Sequence, residues 1–156
     1  MLSIQLRKIL LPVDFSAYSQ TAVNYAIELA SKFKADLHVL HVIEPHLSAT
    51  PDFGLGLNLP NYIVESRAAA QRCLDRIPDT TSATGISITR VLVDGATKSE
   101  IVRYARNESI DLIVIATHGR TGLSHVIMGS VAESIVRSAP CPVLTVRPEG
   151  HQFVMP

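Results

Sequence analysis

The stretch of this 156-residue chain with the clearest chemical capacity runs over residues 116–130. It reads Ala116-Thr117-His118-Gly119-Arg120-Thr121-Gly122, passes through an apolar segment to Met128, and ends in Gly129-Ser130-Val131. Glycine admits positive φ and lets a backbone approach a ligand closely. A helix opening at Ser130 would add free N–H groups and the positive end of its dipole. Together these make an anion cradle, and phosphate oxygens suit it. The same residues also describe a plain loop in which Gly119 and Gly122 shape a turn while Ser130 and Glu133 cap a helix. Asp14 is the second residue of interest, because it directly follows a short apolar run. A carboxylate there serves equally well as a turn former or as a ligand-binding group.

Other chemistries find no support in the spacing. No Gly-Lys pair occurs, which excludes a Walker A loop. Gly54-Leu55-Gly56 lacks the third glycine of a dinucleotide fingerprint. His38 and His41 fall in one apolar run at odd spacing, so as strand residues they point to opposite faces and cannot share a metal; they read as core or sheet-end histidines. Gly122-Leu123-Ser124-His125-Val126 ends in valine where a nucleophile elbow needs glycine. A receiver domain needs clustered acids after its first strand, where only Asp14 stands. Asp14-Phe15-Ser16-Ala17-Tyr18-Ser19 offers neither the His-x-x-His nor the serine-rich phosphate motif of nucleotidyl-transfer enzymes, and no general base is evident. Cys73 and Cys141 have neither metal nor redox spacing.

The elements that must position these residues follow from periodicity. Residues 8–13 form a nearly continuous apolar run, as in a strand buried on both faces. Ala17, Val23, Ala26, Ile27 and Ala30 recur at helical spacing over residues 16–33, with Ser16 or Ser19 as the N-cap. A second strand is expected over 36–42. Residues 44–60, with three prolines and two glycines, form the one long loop. Its Phe53, Leu55, Leu57 and Leu59 suit packing over a site or a partner. A helix over 61–77 and a strand over 86–93 come next. Thr97-Lys98-Ser99-Glu100 has capping-box spacing and opens a helix to about residue 107; a strand over 112–116 follows. Ser130-Val131-Ala132-Glu133 is a second capping box heading a helix over 130–138, and 142–146 is the last strand.

Strands alternating with helices argue for a doubly wound, five-stranded parallel sheet with helices on both faces. Ligands in such sheets sit beyond the carboxyl ends of the strands, where the strand order reverses. A reversal between the first and fourth strands would bring Asp14 beside the residues that follow Ala116.

Composition narrows the remaining classes. Apolar residues make up 47% and charged residues 18%, as in a globular domain. Residues 1–148 are expected to form one domain and 149–156 a tail. No apolar run reaches the roughly 18 residues of a membrane span, and the first residues lack signal-peptide character, so the expected setting is the cytoplasm, without membrane insertion. Lys plus Arg equals Asp plus Glu at 14 each, without the basic footprint of a nucleic-acid binder.

The 116–130 segment, Leu11-Pro12-Val13-Asp14 and His41-Val42-Ile43-Glu44-Pro45 resemble the universal stress proteins. The resemblance spans nearly the whole chain and implies a Rossmann-like fold of the adenine nucleotide alpha hydrolase type. The signature of the nucleotide-binding branch is glycine, two residues, glycine, nine residues, glycine, then serine or threonine. Gly119, Gly129 and Ser130 match it, while Ala116 replaces the first glycine. The resemblance implies adenine near Val13, Asp14 and the backbone of Val42, with ribose near Asp14 and Ala116, and counts Pro12 among the nucleotide-binding residues. It puts the phosphates against Gly119, Gly129, Ser130 and the N–H of Val131. Arg120 carries a charge suited to joining them, and Thr117, His118, Thr121 and Gly122 complete the loop. The implied ligand is ATP, or ADP or AMP, with magnesium or manganese offsetting triphosphate charge. The implied role is a stress-response regulator or switch acting as a homodimer paired through Val143-Leu144-Thr145-Val146. Binding is expected to matter more than turnover. The alternatives are a slow ATP hydrolase and a nucleotide-independent dimeric scaffold.

Overall fold

The computed structural model describes residues 4–44, 59–78, 85–117 and 128–147. Five strands and four helices alternate along the chain: β1 (Lys8–Pro12), α1 (Ser19–Phe33), β2 (Asp36–Ile43), α2 (Leu59–Asp75), β3 (Ile88–Asp94), α3 (Thr97–Asn107), β4 (Leu112–Ala116), α4 (Ser130–Ser138) and β5 (Val143–Val146). The strands pair in parallel in the order β3-β2-β1-β4-β5. The chain runs outward from β1 to β3 and then returns to the other side of β1, so the order reverses between β1 and β4. This is the anticipated doubly wound sheet, with its crevice beyond Pro12 and Ala116.

Burial explains why β1 reads as a continuous apolar run. Ile9, Leu10 and Leu11 are all fully buried, yet they serve two different cores. Ile9 and Leu11 pack with Ala22, Val23, Ala26 and Ala30 of α1 and Leu74 of α2. Leu10 packs with Ile101 and Ala105 of α3 and Ala132 and Ile135 of α4. Alternate side chains thus face opposite helical layers, and each fully buried leucine or isoleucine contributes roughly 1.5–3 kcal/mol. No described helix is long and apolar enough to cross a membrane.

Several expected boundaries move. The N-cap of α1 is Tyr18, without a side-chain cap bond, because Ser16 and Ser19 hold the preceding turn instead. Helix α2 begins two residues earlier than expected, at Leu59, with Pro60 in the first turn, where a missing N–H costs little. It ends at Asp75 in tight turns from Arg76 N–H to the Cys73 carbonyl (3.2 Å) and Ile77 N–H to the Leu74 carbonyl (3.0 Å). Strand β3 runs over Ile88–Asp94 rather than 86–93, and β5 starts at Val143. Neither capping box forms: Ala96 and Gly129 are the cap residues of α3 and α4, so Thr97 and Ser130 are already inside their helices. Residues 45–58 of the expected long loop, including Phe53, Leu55 and Leu57, and the 149–156 tail lie outside the described residues.

Candidate functional site

Three local structures meet at the carboxyl edge of the sheet. The first is the turn leaving β1. Val13 N–H donates to the Leu40 carbonyl at 2.9 Å, which keeps the chain in register for one residue beyond the strand. The Val13 carbonyl lies 2.7 Å from His41 Nδ1. Oδ1 of Asp14 accepts the Ser16 N–H at 3.0 Å and the Ser16 hydroxyl at 2.6 Å, a turn that only a short acceptor side chain can make. Phe15 between them has φ of 63°, in the left-handed region that non-glycine residues avoid, and its ring lies 4.1 Å from that of His41.

The second is the start of α4. Thr117 N–H donates to the Val146 carbonyl at 2.9 Å, and the Thr117 carbonyl accepts Gly129 N–H at 2.6 Å. A Cβ on Gly129 would lie 3.2 Å from that carbonyl, although φ of −67° is open to any residue. The glycine is therefore favoured by close approach rather than by an unusual backbone angle. Ser130 is exposed, and no described side chain bonds the first N–H groups of α4. Glu133 turns away and bonds Arg137 Nη2 at 2.9 Å.

The third is the start of α3, where the Glu44 carboxylate at the end of β2 accepts Thr97 N–H at 3.0 Å. Glu100, the other half of the expected box, packs beneath Gly95 and pairs with Arg103. Glycine suits position 95 doubly, since φ is 151° and a Cβ would approach Glu100 Cγ to 2.8 Å.

A cleft of about 710 Å³ joins the three, within the range of small-molecule sites. Pro12, Val13, Asp14, Val42, Ala116, Thr117, Gly129, Ser130 and Val131 all line it. His118, Gly119, Arg120, Thr121 and Gly122 lie outside the described residues. Ala116 is not among the described residues with positive φ, so its backbone makes no demand for glycine; only its methyl group distinguishes it on the cleft wall. Asp14 and Glu44 are the only Asp, Glu, Lys or Arg side chains among the described lining residues. An anion at the start of α4 would meet main-chain N–H groups and the positive end of the helix dipole.

Sequence reasoning missed part of this wall. Phe15, His41, Glu44 and Thr97 line the cleft, as do Ser66, Ala69, Ala70 and Cys73 of α2. His41 is only 7% exposed, as a core histidine would be, yet it borders the cleft. Its place at the carboxyl end of β2, beside Val42, was the available signal. His38, on the opposite face, bonds Tyr104 Oη at 2.8 Å. Burial and nearby Lys8 lower its pKa, while burial and Glu108 push the Tyr104 hydroxyl up to about 12. Among the described residues no cluster of three or more His, Cys, Asp or Glu could hold a metal. A smaller hollow of about 400 Å³ at the opposite edge of the sheet, lined by Arg7, Lys34 and Asp36 among others, contains none of the anticipated residues.

Comparison with known proteins agrees with this architecture. A universal stress protein of Methanocaldococcus jannaschii is 32% identical over 143 residues, covering 90% of this chain and 82% of that protein. A solved universal stress protein, UspA of Lactobacillus plantarum, is 28% identical, covers 93% of this chain and 100% of its own, and superposes with a TM-score of 0.80. Two more distant structures share the fold. A universal stress protein in complex with cAMP is 23% identical with a TM-score of 0.69, covering 94% of this chain and 100% of that one. Another from Archaeoglobus fulgidus, in complex with dAMP, is 21% identical with a TM-score of 0.60, covering 91% and 98%. The sequence model of the universal stress protein family matches residues 5–147, and this chain belongs to that family.

Proposed function

We propose that this protein binds ATP or a related adenine nucleotide in the cleft between β1 and β4, and that it works in the cytoplasm as a dimeric stress-response regulator or switch. The observation that carries this reading is the α4 N-terminus. Gly129 packs closely on Thr117, so that a Cβ there would crowd its carbonyl at 3.2 Å, and Ser130 and Val131 border the cleft behind it. A phosphate there would receive N–H donors and the helix dipole, with the adenosine directed toward Val13, Asp14 and Val42. The complexes of two family members with cAMP and dAMP support an adenine nucleotide as the ligand class. Magnesium or manganese enters as the counter-ion of a triphosphate. Titration calorimetry and thermal melts test the reading: saturating ATP with magnesium is expected to release heat and raise Tm, as any ligand confined to the native state must. Neither effect at millimolar ATP sinks it.

The dimer half of the proposal rests on β5. Among the described residues it pairs only with β4 and is half-buried over Val143, Leu144 and Thr145, so within that part of the chain one row of N–H and C=O groups lies at the sheet edge. Pairing with a second copy would satisfy them. Leu144→Pro removes one donor and distorts the strand, so light scattering is expected to show monomer or aggregate in place of dimer. A wild-type monomer at tens of micromolar protein defeats this half of the reading.

A further inference from the structure

We infer that His41 is a positioning residue for the adenosine end of the cleft: through the Val13 carbonyl and the Phe15 ring it fixes the turn that presents Asp14. The inference rests on the nucleotide reading above and concerns a side chain that packing alone does not explain. A main-chain carbonyl can only accept, so the 2.7 Å contact with Val13 puts the proton on Nδ1 of His41 and makes the histidine the donor. Val13 is one residue past β1; its N–H still bonds the Leu40 carbonyl of β2, and the paired register ends at Pro12. The bond therefore ties the first non-strand carbonyl back to β2. The next residue but one, Phe15, is held at φ of 63° with its ring 4.1 Å from the imidazole and inclined by 31°. A left-handed non-glycine residue persists only where its surroundings over-determine it. Here one flank is held by His41, through both bond and ring, and the other by the two Ser16 bonds to Asp14. Asp14 lies between these restraints, so its direction into the cleft depends on both.

A histidine needed only to fill space would be replaceable by a ring of similar size. The test compares His41→Phe, which keeps a ring and loses the donor, with His41→Asn, which keeps a donor near Nδ1. Two ligands probe the two ends of the cleft: AMP, and inorganic tripolyphosphate, which has no adenosine. His41→Phe is expected to weaken AMP about tenfold, to leave tripolyphosphate within about twofold, and to speed hydrogen exchange of the Ser16 amide. His41→Asn is expected to recover AMP affinity to within about threefold of wild type. Unchanged AMP affinity in His41→Phe overturns the inference. So does equal weakening of both ligands, which would mark a general loss of structure, or an asparagine variant no better than phenylalanine. If His41→Phe does not fold, Phe15→Leu removes the stacked ring while keeping the bond, and unchanged AMP affinity there overturns the inference as well. A wild-type protein that binds neither probe brings down the nucleotide reading itself, and the positioning role with it.

Discussion

Helices α3 and α4 begin at the same edge of the sheet, cover the same face, and carry the same sequence signature, Thr-x-x-Glu in one and Ser-x-x-Glu in the other. Their N-termini are nonetheless completed differently. At α3 a carboxylate of the protein, Glu44, has been brought from β2 to bond Thr97 N–H. At α4 the cap is Gly129, no side chain substitutes for it among the described residues, and the opening faces the cleft. Both helix starts can receive an anion; α3 carries its own, and the proposed function gives α4 to a ligand. Under the proposed function, a helix start without a side-chain cap beside a closely packed glycine marks the ligand-binding helix and a carboxylate-capped start marks the structural one, where the motif alone does not separate them.

If this contrast is sound, the largest loss of binding comes from closing α4. Gly129→Val crowds the Thr117 carbonyl and the helix start, and overpacking of that order costs about 1–3 kcal/mol; where that strain is carried by the binding geometry it amounts to roughly five- to over a hundredfold in nucleotide affinity. Ser130→Ala removes one hydrogen bond to a charged phosphate, about 1.5–3 kcal/mol, and is expected to cost about tenfold or more. Both variants should remain folded by circular dichroism. Nucleotide affinity unchanged in the pair would place the ligand elsewhere and leave the two helix starts alike.

The contrast also shows what could be read from residues and what could not. Element order, the reversal between β1 and β4, and the convergence of Asp14 with Thr117 and Gly129 follow from buried runs separated by helical periods. Each depends on averages over many side chains. The caps depend on single atoms. Thr97-x-x-Glu100 looks like a box because local spacing favours one, but Glu44, 53 residues away, reaches Thr97 first. That partner is visible only once β2 and α3 are adjacent in space. His41 escaped for a similar reason: its alternation puts it in the core, and only the end of the strand reveals that the core opens there.

A middle-sized effect tests the α3 side. Glu44→Ala leaves Thr97 N–H without its partner and removes a negative charge from a helix start. Losses of this kind cost about 1 kcal/mol, or about 2–4 °C in Tm for a chain of this size. Tripolyphosphate affinity should stay within about twofold, because the proposed function puts the phosphates at α4. A large loss of phosphate binding without loss of stability would show that the two helix starts act on one anion.

The smallest effect belongs to Glu133, and its smallness is informative. Were the capping box at α4 formed, Glu133 would satisfy a main-chain donor and its loss would cost about 1 kcal/mol. Instead it pairs with Arg137 one turn later, with both side chains more than half exposed at 54% and 77%. Exposed pairs at this spacing are worth about 0.3–0.5 kcal/mol and are screened by salt. Glu133→Gln is therefore expected to shift Tm by no more than about 2 °C at physiological salt. Its effect on binding should have the opposite sign. A carboxylate in the first turn of α4 favours the helix but repels a phosphate arriving at the same dipole, so neutralising it should tighten tripolyphosphate by about twofold, more at low salt. The same substitution at Glu100, only 12% exposed and packed under Gly95, should cost more stability and leave phosphate affinity unchanged. A stability loss at Glu133 equal to that at Glu100 would mean that α4 caps itself, and the opening now assigned to phosphate would be a structural one like its neighbour.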